Sequence, residues 1–452
     1  MGWVLRLVET GINGSSRSVD VMVINRPDDL GDIADLGLTL AQGKQLTALV
    51  QQAIVTAQSR DHATRRPDCR TCTIPCQVKD YRPHQIATVF GQVVLRLPHF
   101  RCAGCGGTEA GVDWPSHCRS TPELDQLRAH LSSPMPYRIA AGPLEHLLPV
   151  DAGIHRETVR RRTLRVGGQL RDVAPAEPAA PAVAITLTLD STFIRSCEDG
   201  ERHLEFRLGN VETSHGVRQV FAAVAKTDTS VEALIQRGLK EVGQTTDTEP
   251  TAFTDGCSGL RSILVNAGVT EPPGLDWFHI AMRLQHAGKT AGNLPIDTSE
   301  RENARVAIVA EVDRLRWRIW NGKAKDAKVT LERIRQVMPV FQGNGDRKCH
   351  PSSRQLWTAL REIDRYLSSQ SAWLVNYAER HRAGLPVGTS VTEGTANFLV
   401  NHRMNKSQQM RWSHHGADLL LQVRCAVLNG KFGPGVRQLL DANSGPETAM
   451  AA

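Results

Sequence analysis

The sequence predicts a multidomain α/β protein, and three observations carry that prediction. Residues 185–192 (ITLTLDST) alternate apolar and polar side chains like a half-buried strand, and further strands and a helix follow in turn. Two Cys-x-x-Cys pairs, Cys69/Cys72 and Cys102/Cys105, flank an extended run at 86–100. Residues 172–184 (DVAPAEPAAPAVA) are rich in Ala and Pro and have no amphipathic period, which reads as a semi-stiff linker. A chain of 452 residues, 40% apolar and 22% charged, is long enough for about three domains and apolar enough to bury a core in each.

Composition also excludes classes. No stretch approaches the roughly 18 apolar residues of a spanning helix, and Arg6 follows the start too early for a signal peptide. Arg6 also stands where a myristoylation motif wants Ser or Thr. The expectation is a cytoplasmic protein without a membrane partner. Lys plus Arg number 54 against 47 Asp plus Glu, a net charge of +7 that suits a polyanionic partner. In a reducing compartment, paired Cys-x-x-Cys spacings read as metal ligands rather than disulfides.

Residues 1–60 read as a mixed segment with one or two strands at 3–23, then a helix at 35–58 that serves as scaffold or dimer surface. Residues 61–119 form a zinc-ribbon-like module, with Phe90-Gly91-Gln92 turning a hairpin between the two knuckles. Four thiolates at this spacing, Cys69, Cys72, Cys102 and Cys105, suit one tetrahedral structural Zn²⁺ whose binding folds a segment poor in apolar core. Cys76 and His117-Cys118 offer alternative ligands.

Residues 120–171 read as three helices of helix-turn-helix proportion, at 122–131, 137–148 and 155–166, punctuated by Pro134, Pro136 and Pro149. The third carries Arg156, Arg160, Arg161, Arg162 and Arg165 against the single acid Glu157, a pattern fit for phosphate contacts in a DNA groove. A solvated basic face is the plainer alternative.

Beyond the linker, residues 185–280 start an α/β core. Its strands are expected at 185–192, 203–211, 218–225, 251–256 and 275–280, with helices at 231–242 and 258–267. Residues 281–386 change to helical period, with Ile308, Val312, Leu315 and Ile319 on one stripe and Leu356, Leu360, Ile363 and Leu367 on another. Ser299 and Glu302 form a capping-box pattern, and Gly322 is placed to end that helix. Residues 387–430 resume the core with a helix whose first turn carries Glu393, and 431–452 form a tail.

Asp190, Asp255 and Glu393 thus occupy comparable places on separate elements. Hard oxygen ligands converging in this way suit two Mg²⁺ or Mn²⁺ ions for in-line phosphoryl displacement. Taken singly, the three acids read equally as a turn cap, the acid of an Asp-Gly turn and a dipole-favoured first-turn residue. Asp276 and His279, at the end of the fifth strand, either orient a phosphate or metal-bound water or form a satisfied polar pair. Arg403, Lys406 and Arg411 are expected at DNA phosphates, Trp412 either stacks on a base or packs in the core, and Trp317 and Trp320 are expected to pack.

The strings TLDSTFIR, FTDGCSGLRSIL, LDWFHIAMRLQ and TEGTANFLVNHRMNKSQQMRWS, with LPHFRCAGCG and WPSHCRSTPELDQLRAHLS ahead of them, resemble bacterial insertion-sequence transposases of the DDE class, the ISKra type in particular. The resemblance covers nearly the whole chain. It implies an RNase H-like catalytic core with an α-helical insertion between the second Asp and the Glu, and Asp190, Asp255 and Glu393 as the triad. It further implies metal-dependent cleavage and strand transfer on double-stranded DNA, the element's terminal inverted repeats and the target, by a nucleoid-associated homo-oligomer. The competing reading is a catalytically inactive DNA-binding relic or repressor.

Overall fold

The computed structural model describes residues 1–11, 14–29, 31–110, 112, 119–151, 153–172, 180–341, 350–388, 394–405 and 410–432. The chain divides into two compact units, the first Met1–Asp172 together with the described residues 430–432 and the second Val173–Asn429.

In the first unit, β1 (Gly2–Thr10) and β2 (Ser16–Asn25) form an antiparallel hairpin. Helix α1 (Leu40–Thr64) begins later than its hydrophobic pattern suggests, because Thr39 and Gln42 close a reciprocal capping box there. Strands β3 (Gln77–Thr88), β4 (Gly91–Arg101) and β5 (Thr108–Glu109) make an antiparallel sheet. Because β5 pairs β4 only at Phe100 and Arg101, the edge of β4 before them needs other partners. Helix α1 supplies them. The Gln52 amide donates to Val94 O at 3.0 Å and accepts from Val94 N–H at 3.1 Å, and Ser59 donates to Arg96 O at 2.9 Å. Helices α2 (Pro122–Ser132), α3 (Tyr137–Leu147) and α4 (Arg156–Asp172) pack around Leu124, Ala140, Leu144, Val150 and Val159.

The second unit is built on a five-stranded sheet of β6 (Ile185–Arg195), β7 (His203–Thr213), β8 (Arg218–Val224), β9 (Thr251–Thr254) and β10 (Gly274–Leu275), in the order β10-β9-β6-β7-β8. The first three are antiparallel neighbours, while β9 runs parallel to both β6 and β10. Helices α5 (Val231–Glu241) and α6 (Ser258–Asn266) share a core with Leu187, Leu189, Val211 and Ala223 of the sheet. Of the stretch read as a linker, 173–179 lies outside the described residues. Its end is stitched to the unit, since Ala182 N–H donates to Gly243 O and Ala182 O accepts from the Thr248 hydroxyl.

Helices α7 (Trp277–Gly292), α8 (Ser299–Trp320), α9 (Ala324–Val337), α10 (Pro351–Gln370) and α11 (Tyr377–Arg382) form a separate core that buries both of the predicted stripes. The cap of α8 is Thr298, one residue ahead of the expected Ser299. The expected strand at 275–280 is instead two residues of strand and the start of α7, because Asp276 accepts Phe278 N–H and caps a helix. Trp320 packs edge-on against Trp277, as expected of a core residue, but Trp317 faces solvent at 56% exposure. After a π-helical segment, Asn397–Asn405, helix α12 (His414–Leu428) covers the outer edge of β8. Val224 N–H donates to Asp418, and Gln422 donates to Ala222 O. Among the described residues no helix is long and apolar enough to cross a membrane.

Candidate active site and metal centre

Strand register brings the acids of the second unit together. Thr188 of β6 stands opposite Phe253 of β9, so the register continued by two residues sets Asp190 opposite Asp255. Leu275 of β10 stands opposite Thr254, and one more step sets Asp276 beside Asp255. Asp276 N–H donates to Thr254 O at 2.9 Å, extending the ladder to that level. Three acids therefore share one row of backbone positions across parallel strands, at the carboxyl ends of β9 and β10, where open α/β sheets bind ligands.

Each acid is held by its own surroundings. Asp190 Oδ1 accepts Ser191 N–H at 2.7 Å, and Oδ2 lies 3.7 Å from His279 Nε2. Asp255 Oδ1 accepts Cys257 N–H at 2.8 Å in a turn into α6. Helix α10 buttresses that turn. The Tyr366 hydroxyl donates to Asp255 O at 3.3 Å and Gln370 donates to Gly256 O at 3.0 Å, while Gly256 has φ +92° and a Cβ there would overlap the Gln370 amide. Burial raises the Tyr366 phenol above its ordinary range, keeping it a neutral donor.

Asp276 is fully buried. Its Oδ1 accepts Phe278 N–H at 3.0 Å and its Oδ2 lies 3.6 Å from His279 Nε2. A Cβ on Gly388 would overlap Asp276 Oδ1, so only glycine lets the backbone lie against this carboxylate. The His279 imidazole is raised above its ordinary pKa, first by the Asp190 carboxylate facing it, then against burial by the charges of Asp276, Asp190 and Asp255. Sequence reading placed Asp276 and His279 on a strand. The helical spacing of Ile280, Leu284, Ala287 and Ala291, all buried, was the signal that they begin a helix.

Glu393 and Lys406 lie outside the described residues. On the near side of Glu393 the chain is docked by Val387 O, which accepts Trp277 N–H at 3.3 Å, and on the far side the Thr395 hydroxyl meets Arg218. Arg403 is 4% exposed, with its guanidinium 5.3 Å from the Trp412 ring and 3.3 Å from Met410 Sδ, so it faces the protein rather than a surface phosphate as expected. Trp412 is likewise enclosed, its indole N–H donating to Met404 O at 3.1 Å, which makes it a packing residue rather than a base-stacking one. Arg411 is exposed, as a phosphate contact requires.

In the first unit, Cys69, Cys72, Cys102 and Cys105 place all four sulfurs within 4.8 Å of one another. The Cys72 and Cys102 sulfurs are 3.2 Å apart and those of Cys69 and Cys105 3.5 Å apart. Gly104 N–H points at Cys102 Sγ (3.3 Å) and Gly107 N–H at Cys105 Sγ (3.4 Å). Backbone N–H groups of Cys72 and Thr71 lower the Cys69 thiol, while the Cys102 sulfur facing Cys72 raises that thiol, so the four sulfurs titrate as one coupled group. This donor set fits a structural ion such as Zn²⁺. Cys76 is buried beside Phe100 and outside the four-sulfur group, its thiol raised first by burial, which makes it core rather than an alternative ligand. His117 and Cys118 lie outside the described residues.

The arginines of α4 divide by face. Arg156, Arg161 and Arg165 are exposed, and Arg160 pairs locally with Glu157 at 3.2 Å while staying 43% exposed. Arg162 turns inward instead, its guanidinium 3.3 Å from Asp125 Oδ2, which corrects its assignment as a phosphate contact. Asp125 also accepts from Arg128 and from the Ser120 hydroxyl, both at 2.7 Å, in a buried network that sequence reading did not find. The nearly enclosed Arg128 guanidinium is lowered from its ordinary pKa by burial, which Asp125 opposes.

Compared with protein-family models and with curated proteins, the chain finds no match.

Proposed function

We propose that this chain is a DNA transposase of the DDE class. In this reading the sheet of the second unit is an RNase H-like core, α7–α11 are its insertion, and Asp190, Asp255 and Glu393 hold two Mg²⁺ or Mn²⁺ ions. The first unit binds element ends through its zinc-ribbon-like sheet and helices α2–α4. The observation that carries the reading is the acid row, since Asp190 and Asp255 reach one level only through the parallel pairing of β6 and β9. Each engages Oδ1 with a nearby backbone N–H, and Oδ2, which in Asp190 also faces His279, keeps a lone pair for a ligand. Bound divalent metal supplies an activated water and stabilisation of the leaving oxygen. Asp276, wholly buried and capping α7, holds the floor of the site. Exposed Arg156, Arg160, Arg161 and Arg165 meet DNA phosphates without selecting sequence.

The test uses labelled DNA from both flanks of the gene, with cleavage assayed in Mg²⁺ and Mn²⁺ and binding measured in Ca²⁺. Wild type should cleave, while Asp190→Asn, Asp255→Asn and Glu393→Gln should each lose at least about 10²-fold in rate through misplaced reacting groups and keep end binding. A wild type inert in Mn²⁺, or variants that cleave normally, would overturn the proposal.

A further inference from the structure

We infer that His279 is the positioning residue for Asp190, tying that carboxylate to the buried Asp276. The inference rests on the reading of the acid row as a metal site. Its motivation is a single ring nitrogen between two carboxylates. His279 Nε2 lies 3.7 Å from Asp190 Oδ2 and 3.6 Å from Asp276 Oδ2, and this enclosed atom makes no hydrogen bond at these distances. It stands between the two acids, committed to neither. Asp276 and His279 meet because they are three residues apart across the first turn of α7, and β6 brings Asp190 to the opposite side of the ring.

The two acids have different freedoms. Asp276 is 0% exposed, with Oδ1 capping α7 and the Gly388 backbone against it, so it cannot turn. Asp190 is 15% exposed at the open side of the row. A carboxylate that offers one oxygen to a metal binds best when its surroundings fix its orientation, and loss of such a partner costs metal affinity about 10–100-fold. An N–H between like-charged acids also offsets their repulsion. The chain of support runs from the Gly388 backbone through Asp276 and His279 to Asp190, with Asp276 the anchor rather than a ligand.

The experiment measures Mn²⁺ binding to the full-length protein by the electron paramagnetic resonance signal of free Mn²⁺, for wild type, Asp190→Asn, His279→Ala and His279→Gln. DNA binding in Ca²⁺ and thermal midpoints are recorded alongside. His279→Ala should raise the Mn²⁺ dissociation constant about 10–100-fold. His279→Gln, whose amide N–H reaches a similar place, should restore most of it, and DNA binding should not change. Unchanged Mn²⁺ affinity in His279→Ala overturns the inference. Equal weakening in both variants with a parallel fall in thermal midpoint overturns it in favour of packing, and weakened DNA binding with normal Mn²⁺ affinity overturns it in favour of a direct DNA contact. If wild type binds no more Mn²⁺ than Asp190→Asn, the metal reading of the row fails and the inference with it.

Discussion

The two compact units assemble their candidate sites in opposite ways. In the first, each sulfur pair comes from one tight knuckle, and a single hairpin, β3–β4, brings the two knuckles within 4.8 Å. In the second, Asp190, Asp255 and Asp276 are distant in sequence and share a row only because three strands hold their register. A site closed over short loops fails by itself when a ligand is lost. A site written in register fails with any change that moves a strand, however far from the chemistry.

The largest expected effect breaks the first kind of site. Structural zinc in small modules contributes about 10–16 kcal/mol of folding free energy, and one lost thiolate removes a large share of it. Cys102→Ser should therefore leave less than one Zn²⁺ per chain and open the sheet of β3, β4 and β5 to proteolysis, while the second unit keeps its own melting transition. Elemental analysis and limited proteolysis check both halves. Wild-type protein free of zinc would remove the basis of the comparison.

A substitution remote from any ligand probes the second kind. Gly209 of β7 lies opposite Leu189, next to the pair Asp190 and Leu208, and a Cβ there would overlap the Thr188 carbonyl and come 2.7 Å from Phe221 Cζ. Backbone offers no soft way out. Gly209→Ala should cost about 1–3 kcal/mol as overpacking, and because it parts β7 from β6 beside Asp190, cleavage should fall by about 10²-fold for each ångström of displacement. Normal melting and cleavage in this variant would show that the acid row does not depend on that register.

The same contrast explains what was legible in the sequence. The four-cysteine cluster was readable because Cys-x-x-Cys spacing is itself the local geometry, and the helical stripes through Ile308 and Leu356 were readable because the 3.6-residue period is local too. Asp190, Asp255, Asp276 and His279 were readable as site candidates, but the row they form was not. It follows from parallel pairing across long connections, and the helix start at Asp276 was hidden because a short apolar run reads as strand until its cap is seen. Burial of Arg403 and Arg162 was equally illegible, since a basic residue carries no local sign of which way it faces. Asp125 fixes the direction of Arg162 from another helix.

Within the first unit, the two faces of α4 differ in a way that salt dependence can read. A protein releases counterions with each phosphate it neutralises, so the logarithm of affinity falls with the logarithm of salt by about 0.9 per contact on duplex DNA. If the exposed face meets DNA, Arg160→Ala with Arg161→Ala should make that slope shallower by about 2 and leave the thermal midpoint nearly unchanged, because surface pairs such as Arg160 with Glu157 add at most about 1 kcal/mol. Arg162→Ala should do the reverse. Its side chain is 16% exposed and turned onto Asp125, so its loss weakens the network around the enclosed Arg128 and lowers the midpoint without altering the salt slope. Binding titrations over several salt concentrations, with thermal melts of the same three proteins, separate the two roles. If Arg162→Ala flattens the slope as much as the exposed pair does, the arginine leaves Asp125 on binding and the division of α4 into a DNA face and a packing face is wrong.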